Sequence, residues 1–272
     1  MLASTAFFIA NVLLIRALGP FASTNLWLVT AVRFAVGLLL IAIVYRRECE
    51  PSHLFRHLRL ASRGVIGSAT VYVYYVTVVH LGAGRATFIN NTYVVFGALL
   101  AVWMLRERFH AALALGGTAA LAGLALLTNA FGSGATSSAY DIFGVLGACG
   151  SSYVVVTIRQ LHATEHTSTI FASQCFYGLL LCLVPATLHP VAASLGTWAL
   201  MIGAGVLSAG GQLAMTRAFR DLPVADGSLL QMLVPVGIAV GGWLCFGEHF
   251  AMHEILGAAL ILAGMAFTTL HR

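Results

Sequence analysis

The sequence predicts an all-α integral membrane protein of about ten transmembrane helices, arranged as two five-helix repeats of inverted topology. Three observations carry this expectation. The 272 residues are 60% hydrophobic and only 8% charged, with a mean hydropathy of +0.92, whereas a soluble domain carries about 25% charged residues. The chain also repeats itself: adding 141 takes Glu107 to Glu248, Phe109 to Phe250, Leu115-Gly116 to Leu256-Gly257 and Leu121-Ala122-Gly123 to Leu262-Ala263-Gly264. Nine of the 22 positions in 107–128 are identical at that offset without a gap, the signature of a duplicated unit. Finally, the basic residues are 14 arginines and no lysine, and most of them fall between apolar stretches on one side of the predicted bilayer.

A membrane-spanning helix needs about 20 mainly apolar residues, because lipid offers no partner to an open backbone group. The first such stretch, 2–18, is short and has no basic leader, so no signal peptide is expected; Gly19-Pro20 breaks it. The second covers 25–45. An arginine-rich loop follows with Arg46, Arg47, Arg56, Arg59 and Arg63, then a third span at 64–80 and a tight turn at Gly82-Ala83-Gly84. The fourth and fifth spans cover 86–105 and 111–129. This first repeat, 1–129, is joined by the Gly/Ser/Thr-rich linker 130–138 to a second repeat, 139–272, with spans at 142–161, 169–188, 200–219, 227–246 and 254–270.

Five spans per repeat is an odd number, so the second copy crosses the bilayer in the opposite sense. With both termini in the cytoplasm, eleven arginines fall inside (46, 47, 56, 59, 63, 106, 108, 159, 217, 220, 272), two outside (16 and 85), and Arg33 within the second span. That bias follows the positive-inside rule. Arginine in interhelical loops argues for membrane orientation and against a nucleic-acid partner. The five cysteines have no paired-ligand spacing and read as small apolar residues. Three His pairs spaced i,i+4 (53/57, 162/166, 249/253) lie in loops or at helix ends with no adjacent cysteine, so neither a metal nor a cofactor is expected.

Leu-Gly-Ala-Gly-Arg-Ala at 81–86, Leu-Arg-Glu-Arg-Phe at 105–109, and their second-copy counterparts Leu-Pro-Val-Ala-Asp-Gly at 222–227, Val-Pro-Val at 234–236 and Phe-Gly-Glu-His-Phe at 246–250 resemble the EamA domain of the drug/metabolite transporter superfamily. Ala-Val-Arg-Phe at 31–34 resembles the arginine often found in that family's second helix. The resemblance covers nearly the whole chain. It implies a transporter of a small metabolite or drug-like solute in the inner or plasma membrane, working by alternating access as an exporter or facilitator. One departure stands out: the family usually has proline in the fourth helix, and this chain has Val94, which predicts a less kinked helix there.

Polar groups inside spans tend to face the bundle interior or a wet cavity. Asn11, Tyr72, Tyr75, Asn90, Tyr93, Ser151, Gln212 and Gln231 are the expected substrate-cavity residues, Gln231 being the repeat mate of Asn90. The alternative is that such residues only hydrogen-bond helix to helix. Arg33, whose repeat mate is Gln174, is a candidate anion contact or a snorkelling structural cation; the structural role is favoured. Glu107 and Glu248 are expected to fix the turns at which they sit, by capping helix starts or pairing with Arg or His.

No Asp, Glu or His lies in mid-span, which argues for facilitated diffusion or exchange over strict proton antiport. No catalytic residues are expected, since His-Glu-x-x-His, Gly-x-Ser-x-Gly and mid-membrane carboxylate pairs are all missing from the sequence. The alternatives to a transporter are a non-transporting scaffold or sensor and an intramembrane enzyme. Small-residue pairs at Ala119/Gly123, Ala259/Ala263 and Gly237/Gly241 predict close helix packing, and a homodimer through the fifth and tenth spans is a candidate assembly.

Overall fold

The computed structural model describes residues 1–18, 25–107, 110–131, 139–188, 194–247 and 249–271. Glu248, Arg108, Arg272 and linker residues 132–138 lie outside this set. The described chain is helical: α1 Leu2–Ala17, α2 Leu26–Val44, α3 His53–Arg56, α4 Leu58–Leu81, α5 Ala83–Asn91, α6 Tyr93–Leu105, α7 Ala111–Leu127, α8 Ala139–Leu161, α9 Thr167–Leu188, α10 Leu195–Asp221, α11 Val224–Gln231, α12 Leu233–Phe246 and α13 Met252–Leu270. Eight stretches are long and apolar enough to cross a membrane, counting α5 with α6 and α11 with α12 as one span each; α1 and α7 are shorter apolar helices.

The largest boundary difference is at α4. Arg59 and Arg63, expected in a loop, lie within its first two turns. Two other expected helices are interrupted, 86–105 at Thr92 and 227–246 at Met232. Pro235 explains the second break, because it has no N–H for the Gln231 carbonyl. The first occurs without proline, correcting the expectation of a less kinked helix. There the Thr92 hydroxyl donates to the Ile89 carbonyl at 2.6 Å and the Asn91 amide to the Thr87 carbonyl at 2.8 Å. Side chains that bond the preceding turn bend helices in this way. The C-caps of α6 and α12 also correspond: Arg106 (φ 54) and Gly247 (φ 65), repeat mates, are both left-handed.

Two compact units are interleaved in sequence, one of residues 1–72 and 157–221, the other of 73–156 and 222–272. In the first, α2 packs on α9 and α10, and α1 on α10. At the α2–α9 contact, a Cβ on Gly37 would meet Cys175 Sγ at 2.6 Å, and a Cβ on Gly178 would fall on the Phe34 ring. Gly178 is the repeat mate of Gly37, and Cys175 of Phe34, so this contact is the same surface used twice. It runs antiparallel, since the residue nearer one helix's start meets the residue nearer the other's end.

In the second unit α7 packs on α13 by the same rule. A Cβ on Gly123 would lie 2.6 Å from the Gly257 carbonyl oxygen, one on Gly257 would lie 2.5 Å from the Gly123 carbonyl, and one on Gly264 2.5 Å from the Gly116 carbonyl. The mates are Gly116/Gly257 and Gly123/Gly264, so repeat-related helices again cross antiparallel through a self-complementary surface. Thr268 Oγ1 donates to the Ala112 carbonyl at 3.3 Å across this crossing. Gly123 is therefore consumed by packing within the chain, while Ala259 and Ala263 remain exposed. Arg85 pairs bidentately with Asp141, both N···O distances being 2.9 Å, and ties α5 to the first turn of α8.

Candidate functional site

The first unit contains a buried polar seam. Ser208, Gln212 and Thr216 recur every four residues on α10, so they share one face, and all three are buried. Gln212 Nε2 donates to Gln174 Oε1 at 3.2 Å, and Gln174 Nε2 donates to the Gly67 carbonyl at 3.1 Å. Arg63 stands one turn before Gly67 on α4, on the same face. Its side chain is wholly buried, and none of its three guanidinium nitrogens has a hydrogen-bond partner among the described residues. Ser208 Oγ and Thr216 Oγ1 are likewise buried and unpartnered. Arg33 and Arg63 both lie within electrostatic reach of the Cys175 thiol.

Buried polar atoms are almost always hydrogen-bonded, and leaving a buried donor unmet costs about 1–3 kcal/mol, more when it is charged. A buried guanidinium with three unmet nitrogens, in a unit that also buries unmet hydroxyls and an amide pair, is chemically suited to a small anionic group with polar substituents. His162, just beyond the end of α8, caps the seam: its Nε2 hydrogen donates to the Thr216 carbonyl at 2.8 Å, and burial lowers its pKa. Burial also raises the pKa of the Cys49 thiol, in the loop before α3.

The other residues expected at a cavity are distributed differently. Asn11 Nδ2 donates to the Ala204 carbonyl at 2.6 Å, joining α1 to α10, as does Ser4 Oγ to the Gly211 carbonyl at 2.8 Å. Tyr72 stacks on Trp27 with ring centroids 3.6 Å apart. Arg33 is half-buried. In the second unit Tyr93 and Gln231 are buried, Asn90 and Ser151 are half-buried, and Tyr75 is half-buried beside Tyr74 at 6.1 Å. Of the expected set, Gln212 joins the seam through its hydrogen bond to Gln174.

Glu107 has a helix-capping bond, though not in its own turn. Its carboxylate accepts the N–H of Val224, the first residue of α11, at 3.0 Å. It also lines a cavity of about 390 Å³ in the second unit, together with His110, Pro223, Asp226 and Thr268. That cavity brings two carboxylates and an imidazole together at helix ends that looked unrelated in sequence.

Arg63 and Thr216 were not expected here, and Gln174 entered only as the mate of Arg33. The arginine cluster 46–63 reads as loop by charge. A signal was nonetheless present: Leu58, Leu60, Ala61 and Val65 continue the apolar pattern of the third span upstream past Arg63.

The profile of the EamA-like transporter family matches residues 1–129 and again 138–270. The pseudopaline exporter of two strains of Pseudomonas aeruginosa is 27% and 28% identical over 267 residues, covering 96% of this chain and 91% of that protein. A riboflavin transporter of Vibrio cholerae is 40% identical over 76 residues, or 26% of this chain and 24% of its own length. A solved crystal structure superimposes with a TM-score of 0.82 at 18% identity, covering 99% of this chain and 95% of the other, and so shares the fold. With family matches over both halves and a helical chain rich in spans, the protein is a multi-pass integral membrane transporter, not an enzyme, and it belongs to the EamA-like transporter family.

Proposed function

We propose that the protein exports a small organic solute bearing an anionic group from the cytoplasm by alternating access, with Arg63 as the anion contact. The single observation that carries the anionic class is the wholly buried Arg63 guanidinium, none of whose nitrogens has a partner among the described residues. Gln174, Gln212, Ser208 and Thr216 supply the neutral hydrogen bonds that orient the solute, in keeping with transporter sites that set a few polar groups on an apolar wall. Arg33 adds a second positive charge near the same thiol. Asn11 serves as helix–helix glue, and Tyr72, Tyr75, Asn90, Tyr93, Ser151 and Gln231 serve as secondary contacts along the path. Export as the direction is supported by the relative named as an exporter.

The test is a thermal-shift screen of purified protein against small carboxylates, phosphates, amines, nucleosides and sugars, followed by flux in proteoliposomes. Anionic compounds should stabilise the protein and be transported, while matched neutral analogues should not. A hit set of amines or uncharged sugars would sink the anionic class. The same liposomes decide coupling. Facilitated diffusion or exchange predicts no uphill accumulation under an imposed pH gradient with the membrane potential clamped. Accumulation driven by that gradient alone would make this a proton-coupled transporter and direct attention to Glu107 and Asp226, which share a cavity.

Inverted topology, with both termini in the cytoplasm of the inner or plasma membrane, completes the reading. It is supported by the arginine bias and by the antiparallel crossing of repeat mates α7 and α13, because antiparallel mates must enter the bilayer from opposite sides. In a cysteine-free background, a cysteine at Ser52 should label only after permeabilisation, and one at Ser137 should label in intact cells. Equal labelling of both from outside would overturn the topology. A homodimer through these helices would use the exposed Ala259 and Ala263 face.

A further inference from the structure

We propose that His53, His57 and Glu165 form a divalent transition-metal site in the first unit. His53 and His57 belong to α3 and its C-cap, and Glu165 to the turn before α9, more than 100 positions away in sequence. Folding brings one ligand atom of each within 4.8 Å of the other two. His53 Nδ1 lies 3.0 Å from Glu165 Oε2, and His57 Nε2 lies 3.7 Å from Glu165 Oε1. Donor atoms around a tetrahedral zinc ion at its usual bond lengths sit about 3.4 Å apart. The trio therefore needs only small shifts to take an ion, opening the shorter pair and closing the longer one, and one coordination position stays open to water.

Two further features point to a metal. The Glu165 side chain is 3% exposed, and buried charges are either paired or coordinate metals. Glu50 Oε2 lies 2.9 Å from His53 Nε2, the nitrogen that points away from Glu165. A histidine that ligates metal with one nitrogen commonly donates its other N–H to a carboxylate, which fixes the tautomer. His53 thus has a ligand position on one side and its orienting partner on the other. Two imidazoles and a carboxylate suit Zn²⁺, Ni²⁺, Cu²⁺ or Fe²⁺ and disfavour Ca²⁺ and Mg²⁺.

The segment holding these ligands is already docked on α9. Tyr177 donates its hydroxyl to the Leu54 carbonyl at 2.8 Å, and the Glu50 N–H donates to Thr169 Oγ1 at 3.2 Å. A bound ion would clamp α3 and the α8–α9 turn together, linking segments from the two sequence repeats inside one unit.

The experiment is calorimetric titration of Zn²⁺ into full-length, tag-free protein in detergent, with melting temperature read with and without EDTA. Wild type should bind one equivalent and melt higher with zinc, reversibly. His57→Ala and Glu165→Gln should each weaken binding at least about 100-fold, and Glu50→Gln about 10-fold, the range for loss of an outer partner. The His57 side chain is half-exposed, so His57→Ala should melt as wild type does without metal, which keeps the comparison valid if Glu165→Gln folds poorly. Zinc binding that is unchanged in His57→Ala, or no stoichiometric binding by wild type, would overturn the proposal and leave the trio as an imidazole–carboxylate contact without a metal.

Discussion

Arg63→Met is expected to abolish transport of the anionic solute while raising the melting temperature of the substrate-free protein. The two effects have one cause. The guanidinium is buried with no hydrogen-bond partner among the described residues, and replacing a buried charge with an apolar side chain of similar volume is often stabilising by about 1–4 kcal/mol. With solute bound, the same charge makes a desolvated ion pair, and truncating one member of such a pair costs about 2–5 kcal/mol. That is a loss in affinity of about 30-fold to several thousand-fold. Arg63→Lys keeps the charge but not the planar fork and should retain part of the binding. Gln212→Leu, which removes only a neutral donor, should lose less. A melting temperature and a transport rate that fall together in Arg63→Met would make Arg63 a structural residue and remove the anionic reading.

Gly123→Ala should destabilise the protein although alanine is the better helix former. A Cβ there would lie 2.6 Å from the Gly257 carbonyl oxygen and 2.8 Å from the Ile261 nitrogen, both backbone atoms that cannot rotate away. Separating α7 from α13 to admit it also opens the Gly116–Gly264 approach, because both lie along one crossing. Overpacking costs typically about 1–3 kcal/mol and occasionally more, and Gly123→Val should yield no folded protein. Gly117, one position beyond Gly116, would meet nothing within 4 Å. Gly117→Ala should therefore be neutral or stabilising by up to about 1 kcal/mol, the helix-propensity gain alone. Size-exclusion profiles and melting curves of the three variants check this. A well-folded Gly123→Val protein would refute the close crossing.

The glycines show where local sequence is enough. Gly116, Gly123, Gly257 and Gly264 repeat at one offset, and each is small because a backbone passes there. A requirement for smallness leaves a mark in sequence, so the duplication, the ten apolar stretches and the membrane class were legible before any coordinates. Break positions were only half legible. Pro235 announces the interruption at Met232, but the one at Thr92 rests on hydroxyl and amide bonds to Ile89 and Thr87, which Thr and Asn make in some helices and not in others.

The polar seam and the histidine cluster belong to tertiary structure. The repeat does not duplicate the buried cation: the mate of Arg63 is Ala204, so no second copy marks it. Arg63 looked like one more loop arginine because charge alone does not tell a snorkelling cation at a helix end from a buried one. Glu165 meets His53 only after α9 returns to the loop before α4, and Glu107 meets Val224 only after α7 packs on α13 and α11. What the sequence by itself determined is what composition and period encode: the solvent, the spans and the glycines that recur at one offset. Which polar side chains end up sharing one desolvated space was decided by three-dimensional packing alone, because residues more than 100 positions apart carry no local trace of each other.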